Sequence, residues 1–333
     1  MAETFVHTHA AHCESGVMAS LLRHHGLPLS EAMVFGLSGA LAFAYLPFVK
    51  IGGLPLVAYR MLPKTIIKGV GKRLGLRMAM QRFSTPEQGM EALDTLLAAG
   101  KVAGLQTSVF WLPYFPEEMR FHFNAHNLIV YGKEGDEYLI SDPVFENPVR
   151  CASSSLQKAR FVKGLMAPKG LLYYPESMPA RVDLERVIPI SIKKTARMML
   201  KTPIPLIGLK GIRFLAKHIR GLTKKDPRYA KLFLGHIVRM QEEIGTGGAG
   251  FRYIYASFLE ESAGILASPL LQEASQLMTA TGDEWRQFAV LAVKAIRSKK
   301  GQAMDFTALA EKLEAVGLSE AAIYEKLLRG PLP

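Results

Sequence analysis

Apolar residues recur along this chain in two rhythms. From Ser15 to His25 they fall at Val17, Met18, Leu21 and Leu22, one face of a helix that Gly26 and Pro28 bring to a stop. Glu87 to Ala99 reads the same way, with Pro86 at its start, Met90, Leu93, Leu96 and Leu97 as its stripe, and Gly100 at its end. Residues 29–82 between them read as helical sequence broken by glycines and prolines. Within that stretch Ala32 to Val49 runs for 18 residues without a charge. A membrane span needs roughly 20 predominantly apolar residues. Gly36, Ser38, Gly39 and Pro47 interrupt this run, so it is expected to be a buried core segment of a soluble domain. The period then shortens. Val102–Leu112, Asn127–Tyr131, Glu137–Ser141 and Phe161–Tyr174 are apolar runs bounded by Gly, Pro and Asp, as strands are. Pro175 to Val187 reads as a linker, and beyond residue 190 only the helical period remains. The pattern predicts an α+β domain over residues 1–178, followed by an all-helical domain over residues 190–333.

Composition fits that division. A chain of 333 residues, 49% apolar and 21% charged, is ordinary globular material with length for two cores. Two cysteines, Cys13 and Cys151, do not make a disulfide framework, and the start is polar and histidine-rich rather than signal-like. A reduced, cytoplasmic setting with free thiols is the expectation. Charge changes the picture more. Thirteen Lys/Arg lie between Ile192 and Met240 against Asp226 alone, an excess equal to the net +12 of the whole chain. Lys50 to Arg82 adds eight Lys/Arg and no acid. Such patches call for an acidic partner: an acidic protein, an anionic lipid surface or nucleic acid. Over 201–222, Leu206, Ile207, Leu209, Ile212, Phe214 and Leu215 alternate with Lys210, Arg213, Lys217 and Arg220. That face suits an acidic carrier or a membrane surface equally. Nothing resembles a helix-turn-helix, zinc finger or RNA-binding aromatic motif, so nucleic acid ranks last.

The candidate chemistry begins at Cys13, just before the first predicted helix, where the helix dipole and free N–H groups favour a thiolate. A second piece lies at His126 to Asp142, two strands about a turn marked by Gly132 and Gly135. If the hairpin is symmetric about Glu134, Tyr131 faces Glu137, Leu128 faces Ile140 and His126 faces Asp142. Directly opposed residues have Cβ atoms about 4.5–5.5 Å apart, within reach for a carboxylate to fix an imidazole. Capping of two strand ends is the plain structural alternative. With Cys13 the pair completes a nucleophile, base and orienting acid. The histidines His7, His9, His12, His24 and His25, with Glu3 and Glu14, lack recognisable ligand spacing, so no metal is expected. The glycine run 245–250 lacks the Lys-Ser/Thr of a P-loop, yet a helix start near Phe251 suits a carboxylate or a phosphopantetheine phosphate. Gly247, Gly248, Arg252, Tyr255 and Glu260 are the substrate-binding candidates there, Glu260 for an amine; an interhelical turn and a solvated face are the plain readings. Trp111, Tyr114 and Phe115 read as a pocket lining or, more simply, as aromatic core.

The Cys at a helix start and the His hairpin ending in Asp142-Pro143 resemble the papain-like fold of bacteriocin-processing peptidase domains. The chain more closely resembles the butirosin-biosynthesis acyltransferase family. Its His12-Cys13-Glu14-Ser15 start, the stretch Leu27 to Leu37 and the glycine signature Gly245 to Arg252 with Tyr253 to Glu261 are similar to that family's. The resemblance implies a papain-like catalytic domain followed by a helical one. It implies transfer of an acyl or aminoacyl group from a carrier-protein or CoA-like thioester, through an acyl-enzyme on Cys13, to an amine acceptor. No cofactor is implied beyond the phosphopantetheine of the donor, an acidic acyl carrier protein that the basic residues Lys210, Arg213, Lys217 and Arg220 would meet. Papain-like enzymes place a Gln six residues before the cysteine; here that residue is His7, so His7, Gln106 or the Cys13 N–H is left to hold the oxyanion. Hydrolysis by the same three residues and a non-catalytic basic binding protein, at the inner membrane surface or on an acidic partner, stay as the alternatives.

Overall fold

Cys13 opens a helix because His12, in extended backbone, turns its ring back to accept the Ser15 N–H. Gly26, at φ 79°, lets the chain turn away at the far end. The computed structural model describes residues 5–298 and 304–332. Its elements in chain order are α1 (Cys13–His24), α2 (Glu31–Ser38), β1 (Leu41–Ile51), β2 (Leu54–Arg60), α3 (Thr65–Leu74), β3 (Arg77–Gln81), α4 (Pro86–Ala98), β4 (Ala103–Thr107), β5 (His126–Glu134), β6 (Glu137–Ser141), β7 (Val149–Ala152), α5 (Ser153–Phe161) and β8 (Leu172–Ser177). Six helices follow: α6 (Leu184–Lys201), α7 (Gly208–Arg220), α8 (Pro227–Glu242), α9 (Arg252–Leu266), α10 (Pro269–Ile296) and α11 (Phe306–Arg329). The class is α+β, sheet-rich first and helical after.

The chain divides into two units. The first takes it up to Val34 and again from Pro63 to Val182; the second takes Phe35–Leu62 and everything from Asp183. Assigning all of 1–178 to one domain therefore misses an excursion. The uncharged run at 32–49 is largely buried up to Tyr45, but Phe48 is exposed, and which core the run joins depends on partners far away in sequence. It is also a helix and a strand, not broken helix: β1 and β2 form a hairpin over Gly52 and Gly53. Further east along the chain, the expected strand at Phe161–Tyr174 is displaced to β8, because α5 occupies Ser153–Phe161. Val102–Leu112 yields strand only to Thr107 before a 3-10 turn at Val109–Trp111. Among the described residues no helix is long and apolar enough to cross a membrane.

In the first unit an antiparallel six-stranded sheet runs β3-β8-β4-β5-β6-β7. One face carries Ala103, Leu105, Leu128, Val130, Tyr138, Ile140 and Leu172 into a core closed by Leu93 of α4 and by Leu156 and Ala159 of α5. The alternate residues, Gly104, Asn127 and Tyr173, lie on the face that α1 packs against. The second unit builds the β1–β2 hairpin into a helical array, with Tyr45 N–H donating to Leu206 O at 2.9 Å. At its centre Arg252 of α9 forms a fully buried pair with Glu320 of α11, Nε to Oε1 at 2.9 Å and Nη2 to Oε2 at 3.2 Å. Trp285 Nε1 and Tyr324 Oη donate to the same carboxylate at 2.7 and 3.2 Å.

Candidate active site

The motif His12-Cys13-Glu14-Ser15 is a set of braces around one thiol. His12 caps α1. Glu14, fully buried, accepts the N–H groups of Ile66 and Ile67 at 3.0 and 3.3 Å and so caps α3. Ser15 Oγ donates to Glu31 Oε1 at 2.9 Å, and the same carboxylate accepts the N–H of His12 at 2.8 Å and of Ala11 at 2.9 Å. Burial pushes the Glu31 carboxyl up while these three donors pull it down. Glu31, first residue of α2, thus fixes the segment that delivers Cys13 to the helix start. Cys13 is only 6% exposed. As residue one of α1 its N–H has no acceptor within the helix.

The helix and the hairpin meet at Pro143. Ala10 N–H donates to Pro143 O at 2.7 Å, and a Cβ on Gly16 would stand 2.6 Å from the Ala10 Cβ and 2.8 Å from the Pro143 Cβ. Only glycine permits that approach without displacement. It brings α1 beside Asp142.

His126 Nε2 donates to Asp142 Oδ2 at 2.6 Å, both side chains buried. The expected pairing of these two is found, but through another register. The turn is tighter than a hairpin centred on Glu134, since Glu134 pairs Glu137 and Lys133 pairs Tyr138. That register alone would put His126 and Asp142 on opposite faces. A bulge at Tyr131 absorbs one residue, after which Val130 pairs Ile140 and Ile129 pairs Ser141. The two side chains regain a common face as diagonal rather than opposed neighbours. Asp142 is fixed further by Tyr114 Oη donating to Oδ2 at 2.9 Å and by Val144 N–H donating to Oδ1 at 3.2 Å. Burial and the Asp142 charge both hold the Tyr114 phenol protonated, as a donor must be. Phe115 meets the His126 ring edge-on at 5.3 Å. Tyr114 and Phe115 are thus the wall and brace of the site. Burial works to lower the His126 pKa, but the Asp142 charge, its hydrogen bond and Cys13 outweigh it and hold the ring at about 10. With Nε2 on Asp142, Nδ1 is the nitrogen left to hydrogen-bond the thiol.

A fourth residue escapes the sequence reading. Asn127 Nδ2 donates to Cys13 Sγ at 3.9 Å and to Ala125 O at 3.0 Å, while Tyr173 Oη donates to Asn127 Oδ1 at 2.9 Å. A carbonyl at one end and a phenol donor at the other fix which end of the amide faces sulfur. Gly104 makes room for Tyr173: a Cβ there would stand 2.5 Å from its ring. Both expected oxyanion donors are occupied elsewhere. Gln106 Nε2 gives its two protons to Asn124 O and Met166 O, at 2.7 and 3.0 Å. His7 donates Nε2–H to Phe145 O at 3.1 Å and accepts from Ser141 Oγ at 2.7 Å. A carboxamide beside a histidine on a strand carries no signal of its own; the Cys13 contact exists only in three dimensions. Cys151, by contrast, is buried on β7 and its thiol is pushed up to about 12, chiefly by burial.

The second unit's candidates divide differently. Arg252 spends its guanidinium on Glu320 and on Gly250 O at 2.8 Å, and Tyr255 is fully buried, so neither presents a surface to a ligand. Gly247 and Gly248, at φ 66° and 84°, form the turn that lets the chain enter α9. Glu260 is exposed on α9. On α7, Leu209, Ile212, Leu215 and Ile219 are buried and Lys210, Arg213 and Lys217 are exposed. Arg220 is held by Glu314 at 2.9 and 3.1 Å. Among the described residues no group of three or more His, Cys, Asp or Glu side chains could hold a metal.

Comparison with known proteins finds two family models, whose boundary does not coincide with that of the two structural units. Residues 12–143 match the family model described as butirosin biosynthesis protein H, N-terminal. Residues 154–327 match a domain of unknown function, DUF4872. No curated protein matches the chain. The second match spans just over half of the chain, which thus belongs to the DUF4872 family, with an N-terminal part that matches the N-terminal domain of butirosin biosynthesis protein H.

Proposed function

We propose that this chain is a cysteine-dependent acyltransferase of specialised metabolism with a papain-like catalytic unit. One observation carries the reading: a helix-start thiol beside a histidine clamped to a buried aspartate at 2.6 Å, with an oriented amide N–H on the same sulfur. The N-terminal match to butirosin biosynthesis protein H supports it.

In the proposed reaction Cys13 Sγ gives its proton to His126 Nδ1 and attacks the carbonyl of an acyl thioester. The oxygen takes negative charge and is held by Asn127 Nδ2 and the Cys13 N–H. The carbon–sulfur bond to the donor breaks, and His126 returns its proton to the departing thiolate. An amine then attacks the acyl-enzyme and His126 removes a proton from it. Collapse forms the amide and frees Cys13, which recovers its proton from His126. Asp142 stays ionised and holds the ring in place throughout. The donor is an acidic carrier protein bearing phosphopantetheine, which the exposed Lys210, Arg213 and Lys217 would attract by charge.

Intact mass after incubation with an acyl-pantetheine or an acylated carrier protein tests this. The expected result is an adduct of the acyl mass on the wild type, absent in Cys13→Ala and discharged by an amine. Discharge by water at an equal rate would make the chain a hydrolase with the same residues. No adduct across a panel of donors, with a Cys13 thiol no more reactive than a free one, would refute the enzymatic reading.

A further inference from the structure

The basic stretch from Lys50 to Arg82 takes no part in the chemistry above. From Lys64 onward it lies in the first unit, where three of its cations meet a fourth from far along the chain. Lys64 is the cap of α3, and Lys68 stands one turn later, its N–H on Lys64 O at 3.1 Å. Arg82 follows β3, at a point where Gln81 pairs with Leu172 of β8 and Phe83 N–H donates to Lys169 O at 3.3 Å. Arg82 and Lys169 thus leave the same edge of the sheet. Burial, then the charges of Arg82 and Lys68, and also that of Lys169, push the Lys64 ammonium below its ordinary range, with Glu14 acting the other way. Lys68, Arg82 and Lys169 therefore all lie within electrostatic reach of Lys64. Elsewhere in this unit Arg77 has Glu176 and Lys133 has Asp94, but among the described residues none of these four holds an ion pair. Glu14 is engaged, its Oε1 accepting the N–H groups of Ile66 and Ile67. Lys64 and Lys169 are also held at φ 74° and 53°, a left-handed backbone that residues with a Cβ rarely adopt and that gathers at functional sites. Lys68, Arg82 and Lys169 are exposed and Lys64 is half-buried, so a solute reaches them.

The cluster stands beside the nucleophile. Glu14 follows Cys13 and its carboxylate holds the first turn of α3, so one peptide unit and one side chain link the Cys13 backbone to the turn that Lys64 caps. Gln106, paired with Asn127 on the sheet, donates to Met166 O at 3.0 Å. That bond ties the loop leading to Lys169 to the sheet face whose Asn127 meets the sulfur. We infer that Lys64, Lys68, Arg82 and Lys169 form an anion site for the phosphate of the donor's pantetheine arm, whether that arm is carried on a protein or on coenzyme A. The inference rests on the thioester reading above. Pantetheine bears its phosphate at one end and the thioester sulfur at the other, so its phosphate site belongs near the nucleophile and not at it. The guanidinium and the three ammonium groups donate to the phosphate oxygens.

The test titrates the full chain by calorimetry with phosphopantetheine, with pantetheine lacking the phosphate, and with coenzyme A. The variants are Arg82→Gln with Lys169→Gln, then Lys64→Gln with Lys68→Gln, and Lys158→Gln as a control, exposed on α5 at the opposite face of the sheet. The expected result is saturable binding of phosphopantetheine, about tenfold or more tighter than pantetheine. Each double variant should lose that preference and Lys158→Gln should keep it. Coenzyme A bound at least as tightly as phosphopantetheine supports the site with a free thioester donor. Coenzyme A bound more weakly, but still lost in the double variants, supports it with an arm carried on a protein. Equal binding of pantetheine and phosphopantetheine, or saturable binding of neither, overturns the proposal. So does a double variant that keeps the wild-type preference, since the four would then not share one ligand, and so does equal loss in Lys158→Gln, which signals diffuse charge. No probe carries an acyl group, so the titration reads the site apart from any adduct on Cys13. Binding without acylation refutes the reaction and keeps the phosphate site; acylation by an acyl-pantetheine with no preference for the phosphorylated arm does the reverse.

Discussion

Asn127 and His126 are consecutive on β5 and reach the same sulfur, one as an amide donor and one as a base. Their loss should therefore differ in kind. Asn127→Ala keeps the base and removes the donor to the developing oxyanion. Acyl-enzyme formation should slow by about a hundred- to a thousandfold, with an unchanged circular dichroism spectrum. A rate within a few-fold of wild type would move the oxyanion elsewhere. His126 offers a test by pH. Its pKa is held at about 10, above the ordinary 6.5, because the influence of Asp142 outweighs burial. A pKa raised by folding stabilises the native state fully below the unfolded value, and that contribution fades as pH climbs through the folded one. In Cys13→Ala, which removes the thiol's own titration and its share in raising the ring, stability to urea should fall as pH climbs above 6.5, over a window that closes below about 10. Asp142→Asn on that background should flatten the decline; equal slopes would show that Asp142 does not keep the ring charged. Cys13, His126 and Asp142 were legible in the sequence because each is a reactive group punctuating an apolar pattern. Asn127 and Tyr114 were not, since a strand amide and a loop tyrosine reveal their partners only once folded.

At the scale of elements, what holds the site is the approach of α1 to the corner after β6. Gly16→Val introduces a Cβ within 2.8 Å of both Ala10 and Pro143 side-chain carbons, so the helix must withdraw. Overpacking of this kind costs about 1–3 kcal/mol. The effect on function should be larger than that figure suggests, because retreat of α1 carries Cys13 away from His126. Denaturant unfolding together with the acylation rate of the folded fraction would separate the two; an unchanged acylation rate would mean the corner only supports the fold. The β5–β6 hairpin shows how a pairing is inferred correctly through a wrong register. Polarity alternation gives the face of each residue, but the bulge at Tyr131 leaves no mark in composition. Two errors, in the turn and in the ladder, cancel in parity. The β1–β2 hairpin stayed hidden for another reason. Gly52, Gly53 and Pro55 read as helix breakers, and its partners lie in α7 and α8, more than a hundred residues away.

Across the whole molecule, the basic excess after residue 190 and the helical period there were readable because both are local properties. The role of the glycine signature was not. The Gly250 carbonyl accepts from Arg252, and Arg252 pairs with Glu320, 68 positions along the chain. The turn and the arginine thus serve a buried network that joins α9, α10 and α11 through Trp285 and Tyr324. This gives a last prediction that distinguishes a structural from a ligand-binding arginine. Arg252→Met leaves Glu320 charged and buried without its counter-ion, which costs about 3–5 kcal/mol. Adding Glu320→Gln removes the stranded charge, and the amide oxygen can still accept from Trp285 or Tyr324, so the double variant should recover part of the loss. If Arg252 instead contacts substrate, Arg252→Met should raise KM while the unfolding midpoint moves little, and Glu320→Gln should restore nothing. Denaturation midpoints of the single and double variants, beside KM for the folded fraction, decide between them. The full burial of both partners puts the expected result on the side of stability, with the proposed acyl-transfer chemistry unaffected in the folded fraction.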